Sequence, residues 1–125
     1  MFRIGEGWWA PEEWGCWLRA ASADLAFSLP DSQHRWRLHL GLRGLPGRPT
    51  TFMLTVLGNC SMRSGMLEPD QRLSAVLPLE SMPSGAVHLR IASNESCSLS
   101  EFSGGLDRRL VTLGVTGFYL STDDP

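Results

Sequence analysis

From Ala23 onward apolar and polar residues alternate with a period of two, the signature of strands that bury one face. "ADLAFSLP" places Ala23, Leu25, Phe27 and Leu29 on one side and stops at Pro30-Asp31. "RWRLHLGLR" has more contrast: Trp36, Leu38, Leu40 and Leu42 face one way, while Arg35, Arg37, His39 and Arg43 face the other. This predicts a half-buried antiparallel strand. A Gly- and Pro-rich loop, "GLRGLPGRPT", leads to "TFMLTVL", where Phe52, Leu54 and Val56 alternate up to a Gly58-Asn59 turn. These two strands are expected to form a hairpin with a long connection.

Three further segments alternate. "QRLSAVLPL" gives Leu73, Ala75 and Leu77; "AVHLRIA" gives Val87, Leu89 and Ile91; "LVTLGVTGFYL" gives Val111, Leu113, Val115 and Tyr119. No stretch carries a capped 3.6-residue apolar period. Seven to eight short strands separated by turns predict an all-β, antiparallel β-sandwich of jelly-roll or Ig-like type. A single domain over residues 1–125 is expected, with the segment 5–17 packed upon it.

Composition narrows the function. With 42% hydrophobic and 19% charged residues, and no apolar run of the roughly 20 residues that span a bilayer, a membrane-spanning helix is excluded. The net charge is −2, and the basic residues are arginines scattered along the chain, so nucleic acid is not an expected partner. The first residues lack a secretory pattern, which predicts a cytoplasmic protein or a module of a longer one. Cys16, Cys60 and Cys97 are odd in number and widely spaced, and are expected as reduced, mostly buried thiols.

Catalytic chemistry is hard to find. His34, His39 and His88 lack metal-ligand spacing, and His39 and His88 fall at outward strand positions. "GLRGLPG" lacks the Lys-Ser/Thr of a phosphate loop. Glu12 and Glu13 are adjacent in sequence, and a glycosidase pair would require a third group such as Asp107. Neither a catalytic set, a metal nor a cofactor is expected.

"GEGWWAPEEWGCW", residues 5–17, holds Trp8, Trp9, Trp14 and Trp17 among glycines, Pro11 and two glutamates. Its pattern, G-x-G-W-x-x-P-E-x-W-G-x-W, resembles a family of small bacterial β-sandwich accessory domains. That family is similar to carbohydrate-binding modules and is attached to glycosyltransferases and other polysaccharide-biosynthesis proteins. Weaker agreement continues through "ADLAFSLP", "LTVLGN", "VHLRI" and "DRRL…LGVTGFYL". Trp9 and Cys16 stand at variable positions of the pattern, and the Asp107-to-Gly114 spacing departs from it. The resemblance implies a non-catalytic module acting on or beside glycans.

Two readings of the tryptophans follow. Indole faces stack on sugar rings while Glu and Arg bond the hydroxyls, making Trp8, Trp9, Trp14, Glu12 and Glu13, with Arg108 or Arg109, candidate ligand contacts. Alternatively the indoles close the core; Trp17 and Trp36 are expected inside, and Trp9 is expected to be the most solvent-facing. The expected partner is an oligosaccharide or polysaccharide, or a glycosyltransferase or other catalytic domain. A docking or self-associating module that binds no sugar is the alternative.

Overall fold

The computed structural model describes residues 2–4, 6–31, 34–57, 61–79, 85–94, 96–101 and 109–122. Eight strands of three or more residues carry the fold: β1 (Phe2–Ile4), β3 (Ser22–Ser28), β4 (Trp36–Arg43), β5 (Thr50–Leu57), β6 (Met62–Leu67), β7 (Arg72–Leu79), β8 (Ala86–Ala92) and β11 (Gly114–Thr122). Three two-residue strands join them: β2 (Cys16–Trp17), β9 (Cys97–Ser98) and β10 (Leu110–Val111). A five-stranded sheet runs β1-β3-β8-β5-β6, a four-stranded sheet β2-β11-β4-β7, and β9 pairs with β10. All pairings are antiparallel, so the chain is an all-β sandwich as the alternation predicts.

The alternating leucines line the space between the sheets. Leu25 and Phe27 of β3, Leu38, Leu40 and Leu42 of β4, Leu54 and Val56 of β5, Leu77 of β7, and Leu89 and Ile91 of β8 share one buried cluster. Burial of this apolar surface is the main force holding the two sheets together.

The expected β4–β5 hairpin does not form. β4 pairs with β11 and β7, while β5 pairs with β6 and β8 in the opposite sheet. The connecting loop crosses the sandwich and is pinned at both ends: Gly44 N–H donates to the Gln71 carbonyl at 2.9 Å, and Leu45 N–H to the buried Thr50 Oγ1 at 2.9 Å.

Strand β6 was not foreseen, because its alternation is inverted. Met62 and Met66 point outward and are 61% and 60% exposed, whereas Gly65 lies opposite Phe52. A Cβ at Gly65 would stand 2.8 Å from the Phe52 ring, so the aromatic occupies the place of the missing side chain.

Near its start β11 carries a bulge: Val115 pairs with Leu42 and Gly117 with Gly41, leaving Thr116 extra. Gly41 makes room for it, since a Cβ there would meet Thr116 Oγ1 at 2.1 Å. One extra residue reverses the facing of everything after it. Tyr119, expected inside with Val115, is therefore 59% exposed and stacks on His39 at 4.2 Å; Phe118 turns toward Phe27, with ring centres 6.2 Å apart. The expected turn at Gly58-Asn59 lies outside the described residues, as do Cys60 and Asp107.

Candidate functional site

The tryptophan segment folds into a narrow antiparallel ribbon at the edge of the four-stranded sheet. Arg19 N–H donates to the Gly7 carbonyl at 2.8 Å and Trp9 N–H to the Trp17 carbonyl at 3.0 Å. At the tip, Glu12 and Gly15 exchange backbone bonds of 2.7 and 3.2 Å, leaving Glu13 and Trp14 in the turn. The return strand docks on β11 through Cys16↔Val115 and Trp17↔Gly114. Gly15 is required here: its φ is +149°, and a Cβ would stand 2.1 Å from the Val115 carbonyl oxygen.

Because side chains alternate along an extended ribbon, Trp8 and Trp9 point to opposite sides. Trp8 packs against the main core and donates its indole N–H to the Asp24 carbonyl at 3.0 Å. Trp9 packs against a second apolar cluster formed by Trp17, Leu45, Cys97, Leu99 and Val111, and donates to the Leu110 carbonyl at 2.7 Å. Expected as the most solvent-facing of the set, Trp9 is half-buried instead. Arginines cover it, with the Arg19 guanidinium 4.5 Å and that of Arg109 5.8 Å from its ring centre.

Trp14 belongs to this second side as well. Its ring meets Trp17 edge-on at 4.7 Å, and Arg43 lies 4.6 Å from Trp14 and 4.9 Å from Trp17. Asp70 holds Arg43 in place through a 2.9 Å contact with its Nε. The close approach of Trp14 to β11 demands Gly114, where a Cβ would come within 2.9 Å of the indole. Trp17 is buried as expected, and Trp36 is half-buried against the core.

On the Trp8 side a cleft of about 260 Å³ opens between the ribbon and β11. Trp8, Pro11 and Phe118 supply apolar walls, and Glu12 and Glu13 the carboxylates. Glu12 pairs with Arg109 at 3.3 Å, whereas Glu13 has no ion-pair partner among the described residues. Three predicted contacts, Trp8, Glu12 and Glu13, thus meet at one cleft. Arg109 reaches it through Glu12, Trp9 and Trp14 face away, and Arg108 lies outside the described residues. Sequence reasoning missed Phe118; the signal was Gly117, a glycine inside a strand pattern that marks a bulge.

Beneath Trp8, Asp24 sits 2.9 Å from Arg90 Nε and 3.1 Å from His88 Nε2. The Arg90 hydrogen bond holds the Asp24 carboxyl below the usual carboxylate range, against an opposing effect of burial. Burial pushes the Cys97 thiol up, and Cys16 and Cys97 are both buried. Among the described residues no three His, Cys, Asp or Glu side chains are grouped to hold a metal ion, and no helix is long and apolar enough to cross a membrane.

No family model and no curated protein matches this chain. Among solved structures, the fold is similar to TmCBM61, a carbohydrate-binding module, in complex with β-1,4-galactotriose. The likeness has a TM-score of 0.50 and 14% identity and covers 87% of this chain and 69% of the other, a resemblance of fold to a non-catalytic kind of domain.

Proposed function

We propose that the chain is a non-catalytic carbohydrate-binding module that holds a short stretch of oligosaccharide between the tryptophan ribbon and β11. The observation that carries this reading is the joining of Trp8, Phe118, Glu12 and Glu13 at one cleft of about 260 Å³. A pyranose presents apolar C–H faces and a rim of hydroxyls, which suits aromatic walls with a few converging polar groups. At somewhat under the roughly 300 Å³ of a drug-sized pocket, the cleft fits one or two rings of a longer chain. The likeness of fold to TmCBM61, in complex with β-1,4-galactotriose, supports the same class of ligand.

The motif resemblance further supports a role beside a bacterial glycosyltransferase or another polysaccharide-handling catalytic domain. Isothermal titration with β-1,4-galactotriose and a panel of bacterial oligosaccharides tests the reading. A Kd of about 1 mM or tighter for at least one sugar is expected, weakened about tenfold or more by Trp8→Ala. No binding across the panel sinks it.

A second reading has its own observation. Met53, Met62 and Met66 stand 46%, 61% and 60% exposed on β5 and on β6, which ends the five-stranded sheet. Exposed methionines at an open edge are the surface of a docking or self-associating module. Light scattering decides: a stable, sugar-insensitive dimer that Met66→Lys dissociates favours docking over glycan binding.

A further inference from the structure

The cleft has an electrical character that its aromatic walls do not explain. Among the described residues its ionisable lining is Glu12, Glu13 and the Cys16 thiol, with no cationic side chain. The thiol is engaged by the Trp9 carbonyl, to which it donates at 2.8 Å. Arg109 Nη2 neutralises Glu12 across 3.3 Å, and the same guanidinium leans toward the Trp9 ring on the far side of the ribbon. Glu13 has no such partner among the described residues and is exposed at the ribbon's turn. The described lining of the cleft therefore carries one uncompensated negative charge, that of Glu13. Arg19 and Arg43 are taken up by indole faces on the other side of the ribbon, and Glu13 is the unpaired charge among the described lining residues.

From this asymmetry we infer that the cleft reads sugar charge, favouring an amine-bearing residue over a neutral hexose and rejecting a uronate, with Glu13 as the discriminating side chain. The inference rests on the glycan-binding reading of the same cleft. An ammonium brought to about 4 Å from Glu13 at a solvent-exposed rim gains roughly fivefold in affinity, the value of a unit-charge contact in bulk water. A carboxylate at the same place loses about as much. Both effects shrink as salt shortens the reach of the charge below about 10 Å.

The test is isothermal titration with three trimers of matched β-1,4 linkage: cellotriose, its glucosamine counterpart and a glucuronate trimer. Wild type should bind them in the order amine, neutral, acid, with about fivefold steps. Glu13→Gln should bring the amine-to-neutral ratio close to one, and Glu13→Lys should invert the order. Inversion is an outcome that simple loss of a packing contact cannot produce. Equal wild-type affinities for the three trimers overturn charge selection and leave sugar binding standing. If none of the three binds, while another oligosaccharide does, charge selection also falls; if no sugar of any kind binds, both readings fall together.

Discussion

Trp8 and Trp9 are neighbours of the same residue type, yet the two sides of the ribbon give them different work. On the Trp9 side, three indoles and three arginines interlock: Arg19 and Arg109 over Trp9, and Arg43 against Trp14 and Trp17. Each cation there finds a π-face, and Arg43 and Arg109 also find carboxylates. On the Trp8 side the indole covers the main core from beneath a cleft whose carboxylates outnumber its cations. Aromatic density alone therefore identifies neither a ligand site nor a core. The partners of each ring do: where guanidiniums already occupy the indole faces, little is left for a sugar.

Three substitutions sharpen or break this contrast. The largest effect is expected from Trp17→Ala, which empties the centre of the second cluster and should cost about 3–5 kcal/mol, seen as a midpoint lowered by about 11–19 °C in thermal denaturation. If the two sides are independent, its sugar affinity should fall far less than that of Trp8→Ala. An equal loss in both variants would mean that the ribbon works as one unit.

Gly15→Ala comes next. Its Cβ would collide with the Val115 backbone, so the ribbon must lift from β11 at a cost of about 1–3 kcal/mol. Both sides should be disturbed together, with a red-shifted tryptophan emission and weakened sugar binding in the same variant. Unchanged emission would show that the ribbon does not depend on this contact.

The smallest effect belongs to the support beneath Trp8. Asp24 ionises more readily in the folded chain, so its stabilisation is full above the ordinary carboxylate range and is lost as pH falls through the lowered folded value. Asp24→Asn should thus be less stable than wild type at neutral pH, with the two converging below about pH 5 in urea titrations. Parallel curves down to strong acid would show that Asp24 contributes nothing through its charge.

The sequence made some of this legible and concealed the rest for physical reasons. Strands β3, β4, β5, β7 and β8 were readable because leucine, valine and phenylalanine alternate with polar residues through each of them. The pairing of β4 with β5 was misread because adjacency in the chain does not fix adjacency in a sandwich, where a loop can cross between sheets. β6 escaped because the ring of Phe52 fills the inward space at Gly65, a substitution of one strand's side chain for another's that no local pattern records. At the site, Trp8, Glu12 and Glu13 were read from their spacing. Phe118 and the contact of Arg109 with Trp9 were not, since Arg109 arrives from roughly 100 positions away and Phe118 through a change of strand phase.

The extra residue at Thr116 has a consequence for how such a module could change its ligand. Were Thr116 paired with Gly41 in an unbroken ladder, Phe118 would lie opposite His39 on the outer surface, and Tyr119 would lie opposite Leu38, facing inward. Exchanging a phenyl wall for a phenol, with its added hydroxyl, would then take no substitution at either aromatic position. Since a Cβ at Gly41 would meet Thr116 Oγ1, a change at Gly41 that moves the bulge along β11 would choose which ring lines the cleft, so this surface can be remodelled through the position of a bulge as readily as by replacing an aromatic residue.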